Sequence, residues 1–381
     1  MNPIASLPRV PGYGADQRRP QKIDWYLILA SLILLTMGLM SLYSEGATHD
    51  GDANFRKQVV NMVIGLGPFA IFALTPPRIW RRGASILYGL NILMLIAVFF
   101  IGSHHKGAER WIQVGPIQFQ PSDLAKIVTV ITLAAFYTRR QDSIHKLSTF
   151  ALGFLHLAVP MVLILFQPHL GSAMVLFVSW FAISIVAGVP GKYLGAVVIC
   201  FVALAGLVVV APKLGLLHGY QLERLTGFFG KSDPKGKGWQ TSRAAIALGA
   251  GGVAGTGFMK GEQKAGHFIP EQHNDFIITV IGEEGGLIGA TMALCAFGFF
   301  FFRLWLVMFQ ATNFNYRLLV GGLFAVLGFH TFVNIAMVLG IVPVVGLWLP
   351  FMSSGGTALW LCMSCVGLTL NIRRRERPLL F

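Results

Sequence analysis

A carboxylate stands at the N-terminus of a predicted unbroken apolar helix, at the end of the one long polar insert in this chain. The insert covers residues 211–275 and closes with the sequence Pro-Glu-Gln-His-Asn-Asp, whose last residue is Asp275. An ionised carboxylate near hydrocarbon costs roughly 3 kcal/mol even on lenient insertion scales, so it usually has a task. A carboxylate in such a place can accept a proton from a reacting group or help to hold a cation. Asp275 is therefore the first candidate functional residue.

A second carboxylate, Asp123, follows a Gln-Pro-Ser sequence that has the form of a helix start with proline in the first turn. Lys126 lies three residues later, on the same helix face, where the two side chains can form a salt bridge. In a structural interpretation the pair neutralises two costly charges. In a functional interpretation it orients or tunes Asp275 across a cavity. The two interpretations are compatible.

Three other polar groups have both a structural and a functional interpretation. Arg110 and Trp111, adjacent before the Asp123 helix, suit either interfacial anchoring or contacts to a phosphate and a sugar. The glycine and lysine residues of the insert predict a flexible cationic segment that wraps an anionic headgroup, with a short amphipathic helix near residues 242–248. Glu283 and Glu284 lie about two turns below Asp275; in one interpretation one of them faces the cavity and the other pairs with a neighbour, whereas the favoured interpretation gives them a purely structural role.

The elements that must position these residues are membrane helices. Of the 381 residues, 55% are hydrophobic and only 12% are charged, which leaves too little polar surface for a soluble globule. The sequence predicts an all-α polytopic membrane protein with about ten transmembrane helices. The predicted spans cover residues 24 to 44, 59 to 74, 83 to 102, 121 to 138, 148 to 165, 170 to 188, 193 to 211, 276 to 308, 317 to 341 and 348 to 371.

The basic residues indicate how the chain lies in the membrane. Alternate loops and both tails hold most of the arginine and lysine, whereas the opposite short loops hold only Arg56, Lys57, Lys106 and Arg110. The positive-inside rule then predicts cytoplasmic tails over residues 1–23 and 372–381, and an external insert between helices 7 and 8 of the membrane domain 24–371. The net charge of +14 is mostly a topology signal, so we expect no nucleic-acid partner.

Several motifs resemble those of the SEDS proteins of shape, elongation, division and sporulation, most closely the elongation branch of RodA proteins. They are GAERWI at 107–112, QPSDLAK at 120–126, Tyr220, Gln221 and Arg224, SDPKGKG at 232–238, IPEQHNDFI at 269–277, and Asn334, Gly340, Pro343, Gly346 and SSGGT at 353–357. Asp123 stands where the family usually has glutamate, which shortens its reach toward Asp275 by one methylene group.

The resemblance implies a peptidoglycan glycosyltransferase that polymerises lipid II at the outer face of the cytoplasmic membrane, or inner membrane. Asp275 would be the general base, supported by Asp123 and Lys126. The residues expected to bind substrate are Arg110, Trp111, Arg224, His273, Ser353 and Ser354. No cofactor is certain, although a divalent cation held with Asp275 is an alternative way to stabilise the departing diphosphate.

The resemblance also implies partners and leaves two other functions open. The expected partners are a class B penicillin-binding protein that supplies the transpeptidase, other elongation-complex proteins, and membrane lipids. A lipid II flippase would need a polar path between the two leaflets, whereas the acidic residues lie mostly toward one side. A non-catalytic scaffold of the wall-synthesis complex would not need Asp275 at all.

Overall fold

The computed structural model describes residues 23–47, 53–105, 108–114, 117–210, 237–266 and 268–376. Most of this part of the chain is helical. In chain order the helices are α1 (Trp25–Gly46), α2 (Ala53–Leu74), α3 (Pro77–Arg82), α4 (Ala84–Ile101), α5 (Pro121–Arg139), α6 (Leu147–Phe166), α7 (Leu170–Ala187), α8 (Gly191–Val210), α9 (Lys237–Ala250), α10 (Glu262–Ala265), α11 (Gln272–Asp275), α12 (Ile277–Gln310), α13 (Phe314–Val338) and α14 (Gly356–Arg375). A one-turn 3-10 helix, Gln141–Ser143, follows α5.

The long helices run alternately up and down, so that the bundle has two chemically different ends. At one end Arg303, near the end of α12, binds the Asp24 carboxylate at the start of α1 at 2.7 Å. At the same end Glu376, after α14, accepts hydrogen bonds from Thr312 before α13. The other end holds the starts of α5 and α14, and both Asp123 and Asp275 lie there. The predicted placement of the two carboxylates at one end is confirmed.

The helices follow the predicted spans, but only some of them have the length and composition that a membrane crossing needs. Seven of the described helices are long and apolar enough to cross a membrane, namely α1, α2, α4, α6, α7, α12 and α13. Of the other three predicted spans, α5 and α14 are largely buried and carry polar side chains such as Asp123, Lys126 and Asn371. A helix surrounded by other helices does not have to be apolar, and hydropathy therefore ranks it low. The count of ten spans stays a prediction.

A small antiparallel sheet occupies the connection between α4 and α5, which the sequence had predicted to be a loop. Its strands are β1 (Ser103–His105), β2 (Ala108–Val114) and β3 (Ile117–Phe119), in that order. Ile112 pairs with Phe119 and Val114 with Ile117. Two of the strands have only three residues each, and β2, with seven, does not alternate between apolar and polar residues, so the sequence gives no clear strand signal here. The sheet ends at Phe119, and Gln120 connects it to the helix that carries Asp123.

The segment between α13 and α14 is longer and less helical than predicted. The last predicted span began at residue 348, but α14 begins at Gly356 and residues 343–355 form an irregular connection. Gly340 and Gly346 have φ angles of 72° and 71°, which favour glycine. Pro343 and Pro350 add further breaks in the helical pattern. This connection forms one wall of the candidate site.

The long helix α12 is broken at Gly286, so the prediction of an unbroken apolar helix after Asp275 was wrong. Gly286 has φ 63° and ψ −157°, far from helical values. The insert segment 251–257 lies against the break and replaces the missing helical hydrogen bonds. The four backbone bonds, of 2.9 to 3.2 Å, are from Thr256 to Glu283, Gly257 to Glu284, Leu287 to Gly252 and Ile288 to Val253.

The described part of the insert is therefore packed, and the prediction of a flexible segment that wraps a headgroup is wrong for it. A Cβ atom on Gly251 or Gly255 would lie 2.0 Å from a carbonyl oxygen of α12. Lys264 is fully buried and forms an ion pair with Glu284. The glycines thus allow close backbone packing. The predicted amphipathic helix near 242–248 is confirmed as part of α9, whereas residues 211–236 lie outside the described residues.

Candidate active site

A polar cavity of about 490 Å³ opens at the end of the bundle where α5 and α14 begin. Its walls come from α2, the small sheet, α5, α7, α11, the irregular connection and the first turn of α14. The side chains that line it include Asn54, Lys57, Asn61, Trp111, Gln118, Asp123, Lys126, His273, Asp275, Trp348 and Ser354. Asp123 and Asp275, which are 152 positions apart in the sequence, thus share one cavity.

Asp275 is the last residue of the one-turn helix α11 and stands two positions before α12. This corrects the prediction that it begins the long helix, although it still lies at the N-terminal side of α12. Its amide donates to the carbonyl of Glu271 at 3.0 Å. Glu271 itself has φ 57°, an unusual backbone angle that turns the chain into α11. The turn places the half-buried carboxylate of Asp275 in the cavity.

The backbone of Asp275 is also held from α13. The side-chain amide of the fully buried Asn334 donates to the carbonyl of Asp275 at 2.9 Å and to the carbonyl of Leu347 at 2.7 Å. It therefore joins the turn that carries Asp275 to the irregular connection. In that connection a Cβ atom on Gly346 would lie 3.4 Å from Asp275 Oδ2. Asn334 and Gly346 together limit where the carboxylate can be.

Asp123 is almost completely buried and accepts three hydrogen bonds. Lys126 Nζ lies 2.6 Å from Asp123 Oδ1, which confirms the predicted salt bridge. The Trp348 indole donates to the same oxygen at 3.3 Å, and the Thr357 hydroxyl donates to Oδ2 at 2.9 Å. These donors come from α5, the irregular connection and α14. Asp123 is thus the point where three parts of the cavity wall are joined.

Trp348 extends this network toward α13. The His330 ring stacks on the Trp348 ring with their centres 3.8 Å apart, and Lys126 Nζ lies 5.1 Å from the centre of the Trp348 ring. A cation over an aromatic face is attracted by the ring quadrupole, which helps to hold Lys126 in place. Neither Trp348 nor Thr357 was predicted as a site residue.

A second cavity of about 280 Å³ adjoins the first and also reaches Asp275. Asp275, His169 and Glu271 line both cavities, whereas Gln240 of α9 and Phe276 line only the second. Asp275 therefore lies between two spaces. Such an arrangement can place two reacting molecules on either side of one carboxylate.

The other predicted substrate-binding residues fall into three groups. Trp111, His273 and Ser354 line the larger cavity. Ser353 is buried behind it, where its hydroxyl binds the carbonyl of Asn274 and accepts from the amide of Leu349. Arg224 and the side chain of Arg110 lie outside the described residues.

Glu283 and Glu284 do not line either of these cavities, so the alternative that one of them faces the cavity is wrong and the favoured structural interpretation agrees with the structure. Glu283 accepts hydrogen bonds from the amides of Gln263 and Lys264 at the start of α10. Glu284 binds the ammonium group of Lys264 and the hydroxyl of Ser44 on α1. Both carboxylates therefore tie the insert to α12 and have structural roles.

Within the described residues no group of three or more His, Cys, Asp and Glu side chains could hold a metal ion. Asp275 and Glu271 both line the cavities, and a cation held with Asp275 would need its remaining ligands from a substrate or from water. The sequence offered no spacing that indicates a metal, and the part played by a cation stays an open prediction.

The residues that sequence reasoning missed share a feature. Asn334 had been noted only as part of a motif, and Asn61, Gln240 and Trp348 had not been singled out. Asn61, Asn334 and Trp348 are polar or aromatic side chains within largely apolar segments, which is a signal that could have identified them, whereas Gln240 lies in the polar insert. What the sequence does not show is which of these side chains meet.

The fold and the cavity define a multi-pass membrane protein with a carboxylate-lined site at one end of its bundle. The family model described as "Cell cycle protein", for FtsW, RodA and SpoVE, matches residues 22–378. The chain belongs to this family, the SEDS proteins.

Comparisons with individual proteins agree with the family assignment. The peptidoglycan glycosyltransferase MrdB of Escherichia coli K12 is 32% identical over 359 residues, which cover 94% of this chain and 95% of MrdB. A chain from a structure of a peptidoglycan synthase complex that coordinates polymerization and crosslinking is 29% identical, with a TM-score of 0.80, and covers 93% of this chain and 98% of its own length. The rod shape determining protein RodA of Thermus thermophilus is 27% identical, with a TM-score of 0.68, over 93% of this chain and 97% of RodA.

Proposed function

We propose that this chain is a peptidoglycan glycosyltransferase that polymerises lipid II into glycan strands during cell elongation. Its family membership and its similarity to MrdB and RodA support this activity. The observation that carries the assignment of the site is that Asp275 lies between two adjoining cavities, one of which also contains the Asp123–Lys126 pair. A polymerase has to bring a donor and an acceptor together at one reacting centre.

In the proposed reaction the 4-hydroxyl group of the acceptor sugar attacks the anomeric carbon of the lipid-linked donor. The new glycosidic bond forms as the bond to the polyprenyl diphosphate breaks, and the configuration changes from α to β in a single inversion. Asp275 takes the proton of the attacking hydroxyl. A positioned general base typically contributes roughly a hundredfold to ten-thousandfold in rate.

The rest of the site supports this step by position and by charge. Asn334 and Gly346 limit the movement of the Asp275 carboxylate. Lys126, together with Arg110 and Arg224, is a cation that can stabilise charge on the departing diphosphate. Trp111, His273 and Ser354 line the space that the sugar would occupy.

The partner that best fits is a class B penicillin-binding protein, which would crosslink the strands that this chain makes. The similarity to a chain of a peptidoglycan synthase complex supports this proposal. Other elongation-complex proteins would join the same assembly. In this arrangement the cavity end of the bundle faces outward, both tails are cytoplasmic, and the protein lies in the cytoplasmic or inner membrane.

The function is tested by polymerisation of purified lipid II, with the chain and its partner reconstituted together. We expect Asp275→Asn to lower the rate by about a hundredfold or more, since the amide cannot accept the proton. Asp142→Asn is the matched control, because it makes the same chemical change at an exposed position after α5, at the other end of the bundle.

Three outcomes would contradict the proposal. Full polymerisation by the Asp275→Asn variant would exclude this residue as the base. Transfer of lipid II between leaflets of a vesicle without any polymer would indicate a flippase. Normal growth of Asp275→Asn cells, under conditions where loss of the whole protein stops growth, would indicate a scaffold.

A further inference from the structure

The first turn of α14 forms a polar region of the larger cavity that has no role in the reaction proposed above. Gly356, Thr357 and Ala358 all line the cavity. The first hydrogen bond of α14 runs from Leu359 to the carbonyl of Gly355 at 3.1 Å, so the amides of these three residues have no acceptor within the helix. Gly355 offers no side chain as a cap. Free amides at a helix start, together with the helix dipole, favour an anion.

A buried amide beside this helix start provides an independent observation. Asn61 of α2 is only 6% exposed and lines the cavity. Its side chain lies against α14, since a Cβ atom on Gly356 would be 2.9 Å from Asn61 Oδ1. Among the described residues the side-chain amide has no hydrogen-bond partner, because only the backbone carbonyl of Asn61 is bonded, to Trp360.

The side-chain amide of Asn61 reaches the cavity, where a ligand with hydrogen-bonding atoms can bind it. Asn61 is aimed at the same space as the amides of α14. The group that it binds should therefore also accept hydrogen bonds from those amides.

Charges of both signs line the cavity, since Lys57 and Lys126 are cations and Asp123, Glu271 and Asp275 are carboxylates. Lys57 lies one turn before Asn61 on α2 and lines the cavity, with its Nζ 3.4 Å from Gln118 Oε1. The Asp123 carboxylate contacts Thr357, but its charge is balanced by Lys126 at 2.6 Å. The cation of Lys57 therefore remains available to a ligand.

We propose that the start of α14, Asn61 and Lys57 form the site that binds the diphosphate of the lipid-linked donor. This inference rests on the proposed glycosyltransferase function and names where its leaving group is held. As the bond to the anomeric carbon breaks, its electron pair stays with the diphosphate oxygen. The helix amides and Lys57 then stabilise the additional negative charge without moving.

The test measures binding, so that it does not depend on polymerisation. The full chain in lipid nanodiscs is titrated by calorimetry with a polyprenyl diphosphate and with the uncharged polyprenol of the same length. We expect the diphosphate to bind at least tenfold more tightly than the polyprenol. Asn61→Asp and Lys57→Gln should each weaken diphosphate binding about tenfold and leave polyprenol binding unchanged.

Two further variants show whether the loss of binding is specific to these residues. Lys192→Gln removes an exposed cation at the opposite end of the bundle and should bind the diphosphate like the wild type. Asp142→Asn should also bind it like the wild type, because it changes a charge at an exposed position at the other end of the bundle. Lys57 is exposed, so its substitution tests the site even where Asn61→Asp fails to fold.

The outcomes distinguish this inference from the proposed function. If Asn61→Asp and Lys57→Gln both bind the diphosphate as tightly as the wild type, the proposed diphosphate site is wrong. That result leaves the polymerase function intact. If the wild type binds the diphosphate through these residues but forms no polymer, the site stands and the proposed function fails.

Discussion

At the scale of single residues, the site depends on a few buried polar side chains, each of which forms hydrogen bonds with more than one segment of the chain. Asp123 binds donors from three parts of the chain, and Asn334 holds the backbone of Asp275 to the connection before α14. A buried carboxylate needs such partners, since an unpaired charge in a low-dielectric interior is strongly destabilising. The same contacts that make these charges tolerable also fix the geometry of the cavity.

The Asp123–Lys126 pair leads to a prediction about stability. Lys126→Met leaves the buried Asp123 carboxylate without its counter-charge, and we expect a loss of about 3 to 5 kcal/mol in the free energy of unfolding. The double variant Asp123→Asn, Lys126→Met removes both charges and should recover most of that loss. Denaturant titration in mixed micelles measures both effects. A double variant as unstable as Lys126→Met would show that the lysine acts through packing and not through charge.

At the scale of elements, the break in α12 is the feature that connects the insert to the membrane helices. The segment 251–257 completes the backbone hydrogen bonds that Gly286 interrupts. Glu283 and Glu284 add side-chain contacts to α10 and to Lys264. Because α11 follows this anchored segment, the anchor limits where Asp275 can lie relative to α12.

The close packing at this break can be tested with one glycine and a matched control. Gly255 has φ 82°, and a Cβ atom there would lie 2.0 Å from the carbonyl oxygen of Glu284. We expect Gly255→Ala to reduce the free energy of unfolding by more than about 1 kcal/mol. Gly249→Ala is the control, because it lies in α9 with nothing within 4 Å of its Cβ position, and it should stabilise the helix by about 0.5 to 1 kcal/mol.

The measurement is the midpoint of thermal unfolding of each variant in detergent. Equal midpoints for Gly255→Ala and the wild type would mean that the insert can move away from α12 at no cost. The anchor would then have no part in positioning Asp275.

At the scale of the whole molecule, the bundle separates its chemistry from its basic loops. Asp123, Asp275 and both cavities lie at one end, and the arginine-rich connections Arg81, Arg82, Arg139 and Arg140 lie at the other. The positive-inside rule predicts that the basic end faces the cytoplasm. A polymerase oriented in this way would release glycan strands outside the cell.

The orientation predicts which residues a membrane-impermeant thiol reagent can reach in intact cells. Ala53→Cys lies exposed at the cavity end, at the start of α2, and should be labelled from outside. Gln141→Cys is exposed at the basic end, between α5 and α6, and should be labelled only after the membrane is opened. The wild-type chain gives the background from its own cysteines. The reverse pattern would place the site in the cytoplasm and exclude synthesis at the outer face.

The helices and their direction could be read from the sequence because their causes are local. The signals are the runs of apolar residues, the proline at the start of α5 and the arginine residues of the loops. Each of them specifies structure within a few helical turns of its own position. For the same reason the Asp123–Lys126 salt bridge, with a separation of three residues on one helix face, could be predicted. The placement of Asp123 and Asp275 at one end followed from counting helices.

Only the tertiary structure decided which distant groups meet. Three sets of contacts join residues far apart in sequence. The insert binds the backbone of α12 around the break at Gly286, Lys264 binds Glu284 and Ser44, and Asn334 binds the carbonyl of Asp275. Their energies depend on burial and on partners that no local pattern specifies, since a polar side chain in an apolar segment shows that it needs a partner but not which one. The sequence alone therefore identified the residues that carry the chemistry, and packing determined the cavity in which they act.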